Sequence, residues 1–191
     1  ILVSTYDPEH KIMIYDLDGN YLYETLLQSQ SHLGSVTVYD HQLWTPGVGR
    51  QNGDIYGFQI NKYPEKSKFA QIERYDLDKV IQGICVEPEE YLSFYDAKEW
   101  LFSHASSTKN CLVSEMTISN DHILAWNYNK KNGTHLVVIP INSIDHSNAV
   151  SNGGKGFLFD ESKAKSYKVP INRVQGVCTL EDGSLLFTET N

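Results

Sequence analysis

Val174-Gln-Gly-Val-Cys-Thr-Leu-Glu-Asp-Gly-Ser-Leu-Leu-Phe-Thr-Glu-Thr190 reads as one short strand, a polar Asp-Gly turn and a second strand. Within it, Gly176 and Leu185 stand nine positions apart. The interval returns in Gly34-Ser-Val-Thr-Val-Tyr-Asp-His-Gln-Leu43 and in Gly83-Ile-Cys-Val-Glu-Pro-Glu-Glu-Tyr-Leu92. It returns once more, with an acid in the glycine's place, in Glu115-Met-Thr-Ile-Ser-Asn-Asp-His-Ile-Leu124. A strand–turn–strand unit recurring over tens of residues marks a repeat architecture.

Outward from these segments, strand signals dominate. Val3–Tyr6, Lys11–Leu17, Tyr21–Leu27, Ile55–Ile60, Phe69–Tyr75, Trp100–Ser103 and His135–Ile141 are rich in β-branched and aromatic residues and bounded by turn residues. Asp18-Gly19-Asn20, Asn132-Gly133 and Asp182-Gly183 supply hairpin turn chemistry. Helical periodicity is hard to find, beyond a turn or two within Ile141–Val150. Asn142–Lys155, with Gly153-Gly154, reads as a surface excursion inside one repeat. The fold class is therefore all-β. From the first residue of each segment the steps are 34 to 83, 83 to 115 and 115 to 176, or 49, 32 and 61 residues. Propeller blades run about 40–50 residues, which predicts four-stranded antiparallel blades, one compressed and one carrying an insertion. Ser35–Val38, Leu43–Thr45, Ile55–Ile60 and Phe69–Tyr75 read as the successive strands of one blade.

The Val174–Thr190 stretch resembles the first half of an NHL-type or gluconolactonase-like propeller blade. Lys11-Ile-Met-Ile-Tyr-Asp-Leu-Asp-Gly-Asn-Tyr-Leu22 resembles the second half, where an outer hairpin turns on Asp-Gly. The resemblance covers nearly the whole chain as a repeat grammar, and matches no signature of a single family within the superfamily. It implies one β-propeller domain over residues 1–191, with a partial blade at 1–31, blades at about 32–79, 80–112 and 113–172, and a partial blade at 173–191. Ile1-Leu-Val-Ser-Thr-Tyr6 aligns with Leu185-Leu-Phe-Thr-Glu-Thr190, so both ends are expected to supply the same second strand. The expectation is an incomplete portion of a five- or six-bladed ring, with further blades from the rest of a longer protein or from another chain. A complete small domain with irregular ends is the alternative.

Composition narrows the classes of function. Hydrophobic residues at 40% suffice for a buried core, and a formal charge of −8 with scattered Lys and Arg argues against nucleic acid as partner. No apolar run is long enough to span a membrane as a helix. Cys85, Cys111 and Cys178 form neither a disulfide framework nor a zinc signature, and read as buried free thiols. They permit the cytosol, whereas the Asn132-Gly-Thr134 sequon and the Tyr-, Asn- and Ser-rich composition lean towards a secreted or extracellular protein.

The propeller resemblance implies that the entrance to each first strand faces a central channel. His32, Gln82, Glu115 and Gln175 occupy those positions and are the candidate ligand-binding residues. They form either a ring of donors and acceptors for a polar ligand or cation, or side chains that satisfy nearby backbone groups. Gluconolactonase-like propellers place a metal-binding glutamate where Glu115 stands. Ca2+ or another divalent cation follows as a possible cofactor, with Asn127 and Asp182 the nearest further ligands. Asp16-Leu-Asp-Gly-Asn20 lacks the acids of an EF-hand loop and reads as a hairpin turn, and no nucleophile elbow, P-loop or His-Glu-x-x-His motif occurs. Trp44, Trp100 and Trp126 read as packing between blades, with a sugar-binding face as the alternative. These observations favour a binding module for a protein or glycan ligand, with no catalytic set. A metal-dependent lactonase or esterase using Glu115, and a scaffold segment of a larger assembly, are the competing expectations.

Overall fold

The computed structural model describes residues 1–5, 11–27, 34–48, 50–51, 54–55, 70–83, 90–93, 115–126, 130–131, 133–145, 156–159 and 162–190. They form antiparallel sheets that follow one another along the chain. In the first, β1 (Leu2–Thr5), β2 (Lys11–Tyr15) and β3 (Tyr21–Leu26) pair in that order. The second is built on β4 (Thr37–Tyr39), β5 (Gln42–Val48), β8 (Ala70–Asp76) and β9 (Glu90–Ser93). A small hairpin of β6 (Arg50–Gln51) and β7 (Asp54–Ile55) and a short helix, α1 (Leu77–Ile81), fall between its strands in sequence. The third sheet comprises β10 (Glu115–Ser119), β11 (His122–Trp126), β12 (Thr134–Pro140) and β15 (Lys165–Val169). The hairpin of β13 (Ile144–Asp145) and β14 (Gly156–Phe159) leaves this run to join β9 of the second sheet by a parallel pair. β16 (Val174–Thr179) and β17 (Leu185–Glu189) form the last sheet. The all-β expectation holds, and no sheet among the described residues closes on itself.

The period of two along each strand gives each face of a sheet to a different neighbour. In the third sheet, Met116, Ile123, Ala125 and Ile139 point one way, into a core shared with Trp44 and Ile72 of the second. Leu124, Trp126 and Leu136 point the other way and pack with Val174 and Val177 of the last sheet. The second sheet likewise turns Leu43 and Tyr75 onto Ile12 and Ile14 of the first. Three apolar layers thus join four sheets in chain order, and each fully buried Ile or Leu contributes roughly 2 kcal/mol.

Turn chemistry fixes the registers. Asp40 and His41 between β4 and β5, and Asn120 and Asp121 between β10 and β11, all have positive φ near 50–60°, the conformation that two-residue hairpins demand and that Asn and Asp tolerate best. The tips are tied across sheets: the Tyr39 hydroxyl donates to Asp121 Oδ1 at 2.6 Å, and the same contact raises the pKa of the Tyr39 phenol. The longer Asp-Gly turns are held by their own acids. Asp16 accepts from the Asn20 N–H at 2.8 Å and Asp182 from the Ser184 N–H at 2.9 Å. Both carboxyls are held below the usual range, chiefly by the side chains of Asn20 and Ser184.

Several strand assignments require correction. The third strand of the second sheet is β8, not Ile55–Ile60, of which only residue 55 is described and lies in β7. Of Gly83–Leu92 only Gly83 and Glu90–Leu92 are described, so the first strand expected there lies outside the described residues. Asp76 caps α1 by accepting from the Asp78 and Lys79 amides, and Gly83 ends it with φ +71°. Leu92 then pairs with Ile72, as part of the outer strand of the sheet that began at Thr37. Described strands from the segments read as 32–79 and 80–112 therefore share one sheet. In the 142–155 excursion, residues 142–145 form part of a 3-10 turn (Ile141–Ser143) and β13, and the rest lies outside the described residues. Cys178, expected to be buried, is exposed on β16. Cys85, Cys111 and the Trp100–Ser103 strand fall outside the described residues. No helix among those described is long and apolar enough to cross a membrane.

Candidate functional site

β10 is the first strand of the third sheet and lies against β4 and β5 on one side and β16 on the other. Its first residue is Glu115, paired across the hairpin with Trp126. The glutamate is only 4% exposed. Over it lies Gly34–Val36, a stretch that belongs to no strand. The Ser35 Oγ accepts the Met116 N–H at 2.8 Å and is also hydrogen-bonded to the Glu115 carboxyl. The Ser35 carbonyl in turn accepts from the buried Thr45 hydroxyl at 2.9 Å. Glu115 Oε2 is buried and has no hydrogen-bond partner among the described residues. Burial pushes this carboxyl up to about 7, with the Ser35 hydroxyl pulling weakly the other way. A buried acid poised between charged and neutral near physiological pH can accept a proton, a cation or a hydrogen-bond donor.

The other expected residues scatter. Gln175 is exposed on β16, whose start is fixed beside the Glu115 end of β10 because Trp126 Nε1 donates to the Val174 carbonyl at 3.3 Å. The strand that Gln82 is expected to enter lies outside the described residues. Gln82 closes α1, its N–H donating to Asp78 O, and α1 is bound to β3 through Thr25 Oγ1 donating to Val80 O at 2.6 Å. His32 and Asn127 lie outside the described residues. Asp182 sits in the turn beyond β16, at the end remote from Gln175, and its carboxylate is engaged by Ser184.

Glu115 is not the only buried acid. Glu73 in β8 is 2% exposed and accepts the Tyr75 hydroxyl at 2.8 Å. Sequence reading missed it, although an acid at alternate positions from Ile72 and Arg74 in an otherwise core-facing strand was its signal. Glu73 faces the first sheet with Thr45 and Tyr75, opposite the Trp44 and Ile72 face. The two acids belong to different layers. Among the described residues no group of three or more His, Cys, Asp and Glu could hold a metal ion. A carboxylate and a hydroxyl at Glu115 fall short of the six or more oxygens Ca2+ requires, so the described donors do not fit that cation. The chain matches no protein-family model, and comparison with characterised proteins and with solved structures yields no match.

Proposed function

We propose that the chain is part of a secreted or surface-exposed β-propeller and acts as a binding module. Its four sheets are read as successive blades, and the ends of the inner strands β4, β10 and β16 as the mouth of its channel. Glu115 anchors the ligand, which presents an amine or another strong hydrogen-bond donor, as a peptide or an amino sugar does. The single observation behind this reading is the buried carboxyl whose Oε2 lacks a partner among the described residues. Leaving such an atom unpaired costs about 1–3 kcal/mol, which a donor reaching it recovers. The Gly34–Val36 segment belongs to no strand and holds its place through the Ser35 hydrogen bonds, so it is the part that a ligand would displace to reach Oε2.

The test is a melting-temperature screen of the protein and of Glu115→Gln against basic and neutral peptides, amino sugars and neutral glycans, with Ca2+ and a chelator as separate arms. An amine-bearing ligand that raises the melting temperature of the parent at pH 8, and loses that effect in Glu115→Gln, supports the reading. Equal shifts in both proteins, or no shift from any donor ligand, refutes it. A shift given by Ca2+ alone and reversed by chelator turns the assignment to a metal site.

A further inference from the structure

Gly34–Val36 lies over Glu115 without joining a sheet, and a single residue ties it down. Ser35 Oγ accepts the Met116 N–H at 2.8 Å, and the same hydroxyl is hydrogen-bonded to the Glu115 carboxyl. The Ser35 carbonyl accepts from the Thr45 hydroxyl at 2.9 Å. Val36 rests on the core of the first and second sheets with Leu43 and Tyr75. The segment is thus anchored at Val36 and latched at Ser35.

Beneath the latch, Glu115 is 4% exposed and its Oε2 has no hydrogen-bond partner among the described residues. In the neutral acid this leaves one polar atom unpaired. In the carboxylate it leaves a charge out of water with one hydroxyl to meet it, and that is much the costlier state. The elements packed against β10 bring little to offset such a charge. Across the sheet from Thr45 of β5, Glu73 is turned to the first sheet and held by Tyr75. Tyr39 of β4 and His122 of β11 sit at the hairpin tips, the other end of their strands. Arg173 and Glu189 flank the start of β16, and Cys178 lies further along it. The Glu115 carboxyl responds to burial and to Ser35 rather than to any of these charges.

We propose that Gly34–Ser35 is a latch that stays shut over neutral Glu115 and is released when Glu115 ionises. Release gives water, or a donor ligand, access to Oε2, so the site opens as pH rises. The ligand's part in this rests on the binding reading above, whereas the latch is a property of the unliganded chain. Burial raises the carboxyl to about 7 in the closed state, from an ordinary 4.5. The open state therefore gains on the closed one as pH climbs from the lower value, and the gain levels off above the higher. Full solvation on opening multiplies the ratio of open to closed by about 70 between pH 5 and pH 8.

The Met116 amide is the reporter, because Ser35 Oγ is its acceptor. Amide hydrogen exchange is measured by NMR on the ligand-free 191-residue chain at pH 5 and pH 8, corrected for intrinsic rates, with and without sub-denaturing urea. Protection at Met116 should fall by at least about tenfold between the two pH values. It should also be insensitive to urea, since a local opening exposes little surface. Amides of the β11–β12 ladder should exchange through larger openings that urea promotes. In Glu115→Gln the pH dependence at Met116 should vanish. Equal protection at both pH values overturns the proposal, and so does a fall that persists in Glu115→Gln. A fall at Met116 that shares the urea sensitivity of the β11–β12 ladder also overturns it, and this comparison on the unaltered protein decides the matter should the variant not fold. No ligand is present, so a failed ligand screen leaves the latch standing, and a failed latch leaves the binding reading to its own test.

Discussion

Replacing Glu115 by Gln should flatten the pH dependence of stability between pH 5 and 8. In the folded protein burial raises this carboxyl to about 7 from its ordinary value of 4.5. Between those values the folded state holds a proton that the unfolded state has released. Stability therefore falls as pH rises, beginning above the unfolded pKa and levelling off once pH passes the folded one. A shift of that size corresponds to about 3 kcal/mol of stability present at acid pH and lost by pH 8. The group is nearly inaccessible to solvent, so little of the penalty is screened. Gln keeps the shape and the Ser35 contact but has no proton to release. Its amide carries a cost of its own, which is present at both pH values and cancels in the difference. The measurement is urea unfolding of both proteins at pH 5 and at pH 8. The parent should lose about 2–3 kcal/mol more than the variant across that interval. Identical losses, within about 0.5 kcal/mol, would refute the raised pKa and the buried state from which it follows.

Four further substitutions probe the fold. Gly133→Ala places a Cβ 2.6 Å from the Val169 carbonyl oxygen at φ +75°, whereas Gly19→Ala at φ +85° meets nothing within 4 Å. The first should cost about 2 kcal/mol or more and the second about 1 kcal/mol by chemical denaturation; equal costs would remove the close approach of β15 from the account. Met116→Ala empties a fully buried position between the second and third sheets and should cost about 2–4 kcal/mol in the same assay. Trp126→Phe removes the indole bond to the Val174 carbonyl and thins the layer against the last sheet. It should cost about 2 kcal/mol and speed hydrogen exchange in β16 and β17 more than in β4 and β5.

The hairpins were legible because their signals are local. Tyr39-Asp-His-Gln42 and Ser119-Asn-Asp-His122 carry turn residues between β-formers, and the backbone at both follows those residues. A glycine serves two purposes, and spacing does not tell them apart. Gly176 stands in a first strand, where a side chain would press on Thr188, while Gly83 releases the chain from a helix. That helix did have its signals, Asp76 before it and Gly83 after it, but five residues are too few to show a periodic face. The parallel union of β14 with β9 was beyond reading for another reason. It joins residues 65 positions apart, and no local preference encodes that choice.

The site divided along the same line. That an acid replaced a glycine at 115 was visible, whereas its burial depends on Ser35, eighty positions away in sequence and adjacent in space. The place of a sheet within the stack was nonetheless written in its strands. Ile123-Leu-Ala-Trp126 is apolar without a break and is buried on both faces, as a sheet with neighbours on both sides requires. Lys11-Ile-Met-Ile-Tyr15 buries only alternate residues, Ile12 and Ile14. Its other face carries the Lys11–Glu24 ion pair at 2.6 Å among the partly exposed Val3 and Leu26. An unbroken apolar strand therefore packs against a described neighbour on each face, and an alternating one against such a neighbour on a single face. β17 is of the second kind, with Leu185 and Phe187 on the core side and Leu186 53% exposed on the other.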